Sequence, residues 1–286
     1  MFVSALIAAA VAAGGPATVQ EWRTACAGKD GWSDPAPPLH VFGNVYDVGT
    51  CGITVLLITS PGGHVLLDAA TAQAAPLVAA NIERLGFRLT DVKLIGTSHE
   101  HLDHAGGVAE LQRRTGATLM ALPAAYVQLQ TGVPDKDDPQ SGILGKSPPA
   151  NVGIMLRNGV DVAKAPFRLT AWTTPGHAPG SATWSWRSCE KKRCVKVVYA
   201  DSVSAVSSDS YRFSAHKRYV AQFRDSLRQI GALRCDLLIT PHPSASRFIE
   251  RMEGQSPLIG RGQCAAYAAE GRRNLDARLA KEQAGQ

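Results

Sequence analysis

Three histidines and one aspartate fall within six residues, between an apolar strand pattern and a helical pattern. The segment 99–104 reads His-Glu-His-Leu-Asp-His and follows the apolar run 92–97. Because His99 and His101 lie two residues apart, both imidazoles leave an extended chain on the same side. Imidazole and carboxylate are ligands that zinc prefers. Asp103 could instead have the purely structural role of a helix N-cap, but that role does not explain the three histidines. The segment therefore predicts a metal site at a strand-to-helix junction.

Two further histidines occupy turns that could complete such a site. His177 lies in the Gly/Pro-rich turn 174–180 between two strand patterns, and His242 follows the predicted strand 236–240. Catalytic ligands often lie on loops held by the strands before them. We expect three other histidines outside the site. His40 begins a strand, His64 lies in a hairpin turn and His216 lies near a helix start.

The remaining apolar patterns predict an α/β chain made of two similar halves. Strands are expected near 40–46, 53–59, 65–68, 92–97, 117–121, 153–158, 167–174, 181–188, 194–200 and 236–240. Helices are expected near 72–86, 104–115, 123–131, 216–231 and 262–282. The segment 132–150 is rich in Pro, Asp, Gly and Ser and predicts a long functional loop. This order favours two packed β-sheets with helices outside.

The N-terminus and the cysteines indicate export. An Ala-rich apolar run over residues 2–13 precedes small residues, which is typical of a signal peptide. We therefore expect a signal segment over 1–17 and a single domain over 18–286. No Lys or Arg precedes the run, so an ordinary N-terminal helix is the alternative. Six cysteines, an even number, favour the periplasm or secretion over six free thiols. They allow 15 pairings, of which Cys189–Cys194 would close a hairpin.

Charge and hydropathy exclude two classes of partner. The formal net charge of the 286 residues is +6, and the basic cluster 191–196 has no interleaved aromatic residues, so we expect no nucleic-acid binding. No apolar run reaches the roughly 18 to 20 residues of a membrane span. Nothing in the sequence demands more than a monomer.

The motifs together resemble the metallo-β-lactamase superfamily. The pattern H-x-H-x-D-H, a Pro-Gly-His turn and a Thr-Pro-His turn carry the resemblance, with 67–71 and 199–202, over nearly the whole chain after residue 25. The chain is most similar to subclass B3, in the branch with three disulfides. This resemblance implies an αββα four-layer sandwich and two Zn²⁺ ions. The first ion would be held by His99, His101 and His177, and the second by Asp103, His104 and His242.

The resemblance also implies the reaction and further roles. A metal-bound hydroxide would hydrolyse the amide bond of penicillins, cephalosporins and carbapenems and so give antibiotic resistance, with Asp103 and His177 as catalytic residues. Ser202 and Ser204 would bind the substrate carboxylate, although strand-end serines can simply cap backbone groups. The implied disulfides are Cys26–Cys51, Cys189–Cys194 and Cys235–Cys264.

Two other functions fit parts of the sequence. A thioesterase or lactonase of the same fold would use a bridging aspartate, a role that Asp201 could fill. Since Asp201 and Ser202 point to opposite sides of an extended chain, only one of them can face the metals. A non-catalytic zinc or nucleic-acid module is disfavoured by the six-ligand set and by the lack of an extra clamp domain.

Overall fold

Seven strands form the first sheet, which is antiparallel in its first half and parallel in its second. The strands are β1 (Leu39–Phe42), β2 (Val45–Asp47), β3 (Leu56–Ile58), β4 (His64–Leu67), β5 (Val92–Gly96), β6 (Thr118–Ala121) and β7 (Val152–Met155). They lie in chain order across the sheet, and β4 to β7 are parallel. Parallel neighbours need crossover connections, which the helices between them supply.

Five strands form the second sheet in the order β12-β11-β10-β9-β8. Their bounds are β8 (Val160–Asp161), β9 (Leu169–Thr173), β10 (Ala182–Glu190), β11 (Arg193–Tyr199) and β12 (Leu237–Ile239). Only the β11–β12 pair is parallel. A helix therefore connects β11 to β12, whereas β9, β10 and β11 follow one another antiparallel.

The helices lie between and after these strands in this computed structural model, which describes residues 14–285. They are α1 (Val19–Ala25), α2 (Ala75–Arg84), α3 (Leu102–Ala105), α4 (Val108–Thr115), α5 (Tyr126–Thr131), α6 (Lys217–Ala232), α7 (Phe248–Met252) and α8 (Gln263–Gln283). Thr18 caps α1 in a capping box with Glu21, which satisfies two N-terminal amides of that helix.

Side-chain alternation along the strands divides the apolar core into layers. On β4, Val65 and Leu67 face the space between the sheets, where Trp184 and Trp186 of β10 also lie. Leu66 points the other way, as the period-2 geometry of a strand requires. A continuous run of apolar residues is therefore needed to bury both faces of the strand.

Each outer face of the sheets is covered by helices. Val78 of α2 and Leu111 of α4 pack on the first sheet in the cluster that contains Leu66. Phe223 of α6 and Leu275 of α8 pack on the second sheet. The layer order is helix, sheet, sheet, helix, and the predicted αββα sandwich is confirmed.

Several elements differ from the sequence prediction. The single strand expected over 40–46 is a hairpin, because the chain turns at Gly43 with a φ of +57°. The helix expected over 104–115 divides into α3 and α4 at the pair 106–107, where Gly107 lies against the backbone of Ala69. Three short elements, α1, α7 and β8, were not predicted from the sequence.

The described residues form three disulfides, in the pairings that the resemblance implied. Cys26–Cys51 fastens the end of α1 to the β2–β3 connection, and Cys189–Cys194 pairs across the β10–β11 hairpin. Cys235–Cys264 fastens the first turn of α8 beside β12. Two of the disulfides therefore tie helices to the sheets, and the third closes a hairpin within one sheet.

Most of the predicted signal segment 1–17 lies outside the described residues. Its last part contacts the domain, since the backbone amides of Gly15 and Ala17 donate to the carbonyls of Arg84 and Pro38. Across the part of the chain that the structure describes, no helix combines the length and hydropathy of a membrane span.

Candidate metal centre

The His-rich motif lies where β5 ends and α3 begins. His101 occupies the N-cap position of α3 in an extended conformation, and Asp103 lies inside the first turn. The alternative of Asp103 as the N-cap residue is therefore excluded. The backbone turns between them, so that His104 also points inward and is fully buried.

The imidazoles of the motif meet those of the two distant turns. The ring centre of His99 lies 4.5 Å from that of His101, 4.3 Å from that of His104 and 4.7 Å from that of His177. The rings of His104 and His242 are 4.9 Å apart. Strand ends from both sheets thus place five imidazoles around one space.

Potential ligand atoms form two adjoining groups in this space. His99, His101 and His177 can each offer one atom within 4.8 Å of the others. In the second group, Oδ2 of Asp103 is 3.1 Å from Nε2 of His104 and 3.5 Å from Nε2 of His242. Those two nitrogens are 3.3 Å apart. The structure thus brings together all six residues expected to bind metal.

An oxygen acceptor stands behind every one of these rings. The contacts are His99 Nδ1 with Asp201 at 2.9 Å, His101 Nε2 with Asp138 at 2.9 Å, His104 Nδ1 with Asp68 at 3.0 Å, His177 Nδ1 with the Ser204 carbonyl at 3.1 Å, and His242 Nδ1 with the Gly52 carbonyl at 3.1 Å. A carboxylate or carbonyl accepts but does not donate, so the outer nitrogen of each ring carries the proton. This assignment leaves a lone pair on each inner nitrogen, and that lone pair can coordinate a cation.

The inner nitrogen of His99 is left without a protein partner in the described part of the chain. Its Nε2 is buried and has no hydrogen-bond partner among residues 14–285. A buried acceptor without a partner is costly, and a metal ion at this point would satisfy it. The donor set of imidazoles and one carboxylate fits zinc.

The electrostatic environment differs between the two groups of potential ligands. Burial and the neighbouring His104 and His101 lower the pKa of His99 well below its usual range, and burial and His99 act in the same way on the pKa of His177. Both rings are therefore neutral at neutral pH. Burial opposes charge on His104, but Asp103 and Asp68 outweigh it and raise its pKa to about 10. A metal that binds His104 must therefore displace a proton.

Comparison with known proteins identifies the family. The family model described as the metallo-β-lactamase superfamily matches residues 48–190. The chain belongs to the metallo-β-lactamase superfamily. A curated hydroxyacylglutathione hydrolase from Rhodopseudomonas palustris (strain BisB5) is 38% identical over 65 residues, which span 23% of this chain and 24% of that protein.

Solved structures confirm the resemblance to subclass B3. The metallo-β-lactamase MIM-1 from Novosphingobium pentaromativorans is 47% identical, with a TM-score of 0.90, over 93% of this chain and 99% of that one. MEM-A1, a subclass B3 metallo-β-lactamase from a soil metagenome library, is 40% identical, with a TM-score of 0.85, over 90% of this chain and all (100%) of that one. This chain is therefore similar, over most of its length, to solved metallo-β-lactamases.

The two serines predicted to bind substrate differ in their surroundings. The hydroxyl of Ser204 lies 2.9 Å from Nδ1 of His177, and Ser204 lines a groove beside the metal centre. Ser202 is 9% exposed and is not part of the groove lining. The remaining histidines lie elsewhere, as expected: Nε2 of His40 contacts the Gly43 carbonyl, and Nδ1 of His216 the Arg212 carbonyl.

Several residues of the centre were not singled out as site residues from the sequence. Asp68 holds His104 and also accepts hydrogen bonds from Ser98 and from the Tyr199 hydroxyl. A polar residue directly after the buried strand β4 was the available sign. Asp138 gave no such sign, because the loop that contains it is rich in aspartate.

The groove above the metal centre has a volume of about 290 Å³. Metal-ligand candidates form its floor, together with Gln140 and Ser204. Its rim is apolar and open to solvent: Trp32 is 48% exposed, Ile143 60% and Val206 46%. An exposed apolar rim around a polar floor suits a small molecule that has both kinds of group.

Proposed function

We propose that the chain is a di-zinc β-lactamase that hydrolyses the amide bond of penicillins, cephalosporins and carbapenems and thereby gives antibiotic resistance. The observation that carries this function is the set of five imidazoles whose outer nitrogens are all held by oxygen atoms. Their inner nitrogens and the Asp103 carboxylate then form two adjoining donor sets. Solved metallo-β-lactamases at 40% to 47% identity support the substrate class.

The two donor sets that would hold zinc differ in charge. His99, His101 and His177 would hold the first ion with three neutral donors, whereas Asp103 adds a carboxylate to His104 and His242 at the second. When bound, zinc supplies Lewis acidity and a hydroxide nucleophile at neutral pH, because it lowers the pKa of water from 15.7 to about 7. No side chain of the protein would become acylated in this reaction.

The neighbours of Asp103 keep its carboxylate ionised. Burial alone would raise its pKa, but His104 and His99 outweigh that effect and lower the pKa well below the usual range. Asp103 therefore stays ionised across the working pH range. Its carboxylate can balance the second ion and orient the attacking water.

Substrate would lie in the groove above the ions. Ser202 and Ser204 would bind the carboxylate that β-lactams carry, with Ser204 already at the groove wall. The apolar rim at Trp32, Ile143 and Val206 would contact the substituents of the drug. A monomer supplies every group that this arrangement needs.

The thioesterase alternative depends on Asp201. Its Oδ1 lies 2.9 Å from the outer nitrogen of His99, so the carboxylate stands behind a ligand rather than between two ions. This position favours an orienting role and disfavours a bridging one. The short match to hydroxyacylglutathione hydrolase keeps thioesters in the substrate test.

Export to the periplasm completes the proposal. Three disulfides need an oxidising compartment to form and persist, and the apolar run within 1–17 would direct the chain there. An enzyme in that location meets β-lactams before they reach the enzymes of cell-wall synthesis.

A substrate panel tests the function. Purified protein should hydrolyse a chromogenic cephalosporin, a penicillin and a carbapenem much faster than a glutathione thioester or a homoserine lactone. Metal analysis should find about two zinc ions per chain, and a chelator should abolish the hydrolysis until zinc is restored. Preference for the thioester, or one ion that does not affect turnover, would overturn the proposal.

A further inference from the structure

The loop 132–150 is attached to the metal centre from inside. Asp138 within it is fully buried. One carboxylate oxygen accepts from Nε2 of His101 at 2.9 Å, and the other accepts from the backbone amide of Gln140 at 2.7 Å. A single carboxylate thus fixes a ligand ring and shapes the loop at the same time.

A second connection runs through Gln128 of α5, which is 4% exposed. Its side-chain oxygen accepts from the amide of Asp135 at 3.0 Å, and its side-chain nitrogen donates to the carbonyl of Glu100 at 2.8 Å. Glu100 lies between His99 and His101. The beginning of the loop is therefore bonded to the backbone that presents those histidines.

The loop contacts one donor set and leaves the other alone. Besides His101, it reaches His177, whose Nε2 lies 3.3 Å from the side-chain nitrogen of Gln140. Within residues 14–285, no hydrogen bond or ion pair joins the loop to the second set of Asp103, His104 and His242. By hydrogen bonding, the loop is therefore joined to the first donor set and not to the second.

We propose that Asp138 is a positioning residue for the first metal site and that it couples zinc binding at that site to the order of the loop 132–150. This inference rests on the zinc sites of the proposed function. Asp138 acts through His101, since its carboxylate requires the proton on Nε2 and leaves Nδ1 free as the donor. Coupling is reciprocal, so an ordered loop strengthens zinc binding and bound zinc orders the loop.

An Asp138→Asn variant separates this role from simple packing. Its amide has the shape of the carboxylate but can donate to Nε2, which favours the tautomer that has its proton on Nδ1. Loss of an orienting carboxylate costs about 10- to 100-fold in metal affinity. Asp137→Asn is the matched control, because the neighbouring side chain is 76% exposed and, within the described part of the chain, pairs only with Lys136.

Zinc titration of the metal-free protein against a competing chelator tests the proposal. Asp138→Asn should weaken one of two binding steps by about 10- to 100-fold and leave the other unchanged, whereas Asp137→Asn should change neither. His101→Ala and His242→Ala identify which step belongs to which site. Two unchanged steps in Asp138→Asn would overturn the inference alone, and a wild-type protein that binds no zinc would overturn the proposed function as well.

Hydrogen exchange supplies a readout that does not depend on activity. Zinc should slow exchange of the loop amides, above all that of Gln140, in the wild type and in Asp137→Asn. The same amides should respond much less in Asp138→Asn, while α8 exchanges equally in all three proteins and reports that the fold is intact. Equal zinc protection of the loop in Asp138→Asn would contradict the coupling.

Discussion

Every histidine of the metal centre has two ring nitrogens, and a neutral ring can give only the unprotonated one to a metal. The oxygen atoms behind the rings select that nitrogen before any ion arrives. Three of them are buried carboxylates, from Asp68, Asp138 and Asp201. Mutations at this scale should therefore affect metal binding and turnover more than folding.

His177 provides the most direct test of the first site. His177→Ala should remove one zinc ion and lower kcat/KM by more than about 100-fold, because loss of an orienting partner alone costs 10- to 100-fold. Metal analysis and cephalosporin hydrolysis measure the two effects. His216→Ala is the control, since that ring stacks on Tyr211 away from the centre. Two bound ions and a near-normal rate in His177→Ala would exclude His177 as a ligand.

The serines should affect substrate binding rather than the chemical step. Ser202→Ala and Ser204→Ala should each raise KM by about 10-fold or more with a smaller fall in kcat, because a hydrogen bond to a charged group contributes about 1.5–3 kcal/mol. Steady-state kinetics with a penicillin measure both constants. A fall in kcat at constant KM would instead assign Ser204 to support of His177, whose Nδ1 it contacts.

The residues that converge on this centre could be predicted from the sequence, but the residues that hold them could not. Residues 99–104 concentrate a residue type that packing does not require, and His177 and His242 lie in turns next to strands. Asp138 is ordinary by itself in an aspartate-rich loop. Its role depends on where the loop folds back, which is tertiary information.

At the scale of elements, prediction succeeded where apolar periodicity was long and failed where turns decide. The helices α6 and α8 lie within two residues of their predicted bounds. The β1–β2 hairpin was missed because its turn, Gly43-Asn44, is only two residues long and apolar residues lie on both sides of it. The division of α3 from α4 depends on contact between Gly107 and Ala69, which no local pattern reveals.

The C-terminal end of α8 is anchored by one buried carboxylate. Glu282 accepts from the backbone amides of Phe213 and Ser214 and from Arg278, and its side chain is 2% exposed. Burial alone would raise its pKa, but Arg278 and the two amides outweigh burial and lower the pKa to about 2. Glu282 should therefore stabilise the fold above pH 4.5, and this contribution should disappear as the pH falls towards 2.

Unfolding of metal-free protein by urea checks the sign. Glu282→Gln should lower the free energy of unfolding by about 2 kcal/mol at pH 7, and the difference from wild type should narrow between pH 4.5 and pH 2. Glu270→Gln is the control, because Glu270 is an exposed residue of the same helix. A difference that stays constant with pH would show that the charge of Glu282 contributes nothing.

At the scale of the whole molecule, the site exists because two sheets end at one edge. β5 leads into the His-rich motif, the β9–β10 connection contains His177, and β12 ends just before His242. The layer order and the convergence of the motif with His177 and His242 were predictable, since strand and helix patterns alternate and these histidines follow strands. Sheet order and the inward fold of the loop 132–150 depend on long-range packing and were not.

The disulfides should stabilise the whole molecule according to the length of chain that each encloses. A cross-link removes loop-closure entropy from the unfolded chain, so Cys26–Cys51, which spans 25 residues, should contribute about 3.5 kcal/mol. Cys189–Cys194 spans only 5 residues and should contribute about 2 kcal/mol, because the loop that it closes is much shorter. The double variants Cys26→Ala with Cys51→Ala and Cys189→Ala with Cys194→Ala should therefore differ in urea unfolding, the first being less stable. If the Cys189/Cys194 variant lost as much stability as the Cys26/Cys51 variant, or more, loop-closure entropy would not be the main contribution of these disulfides.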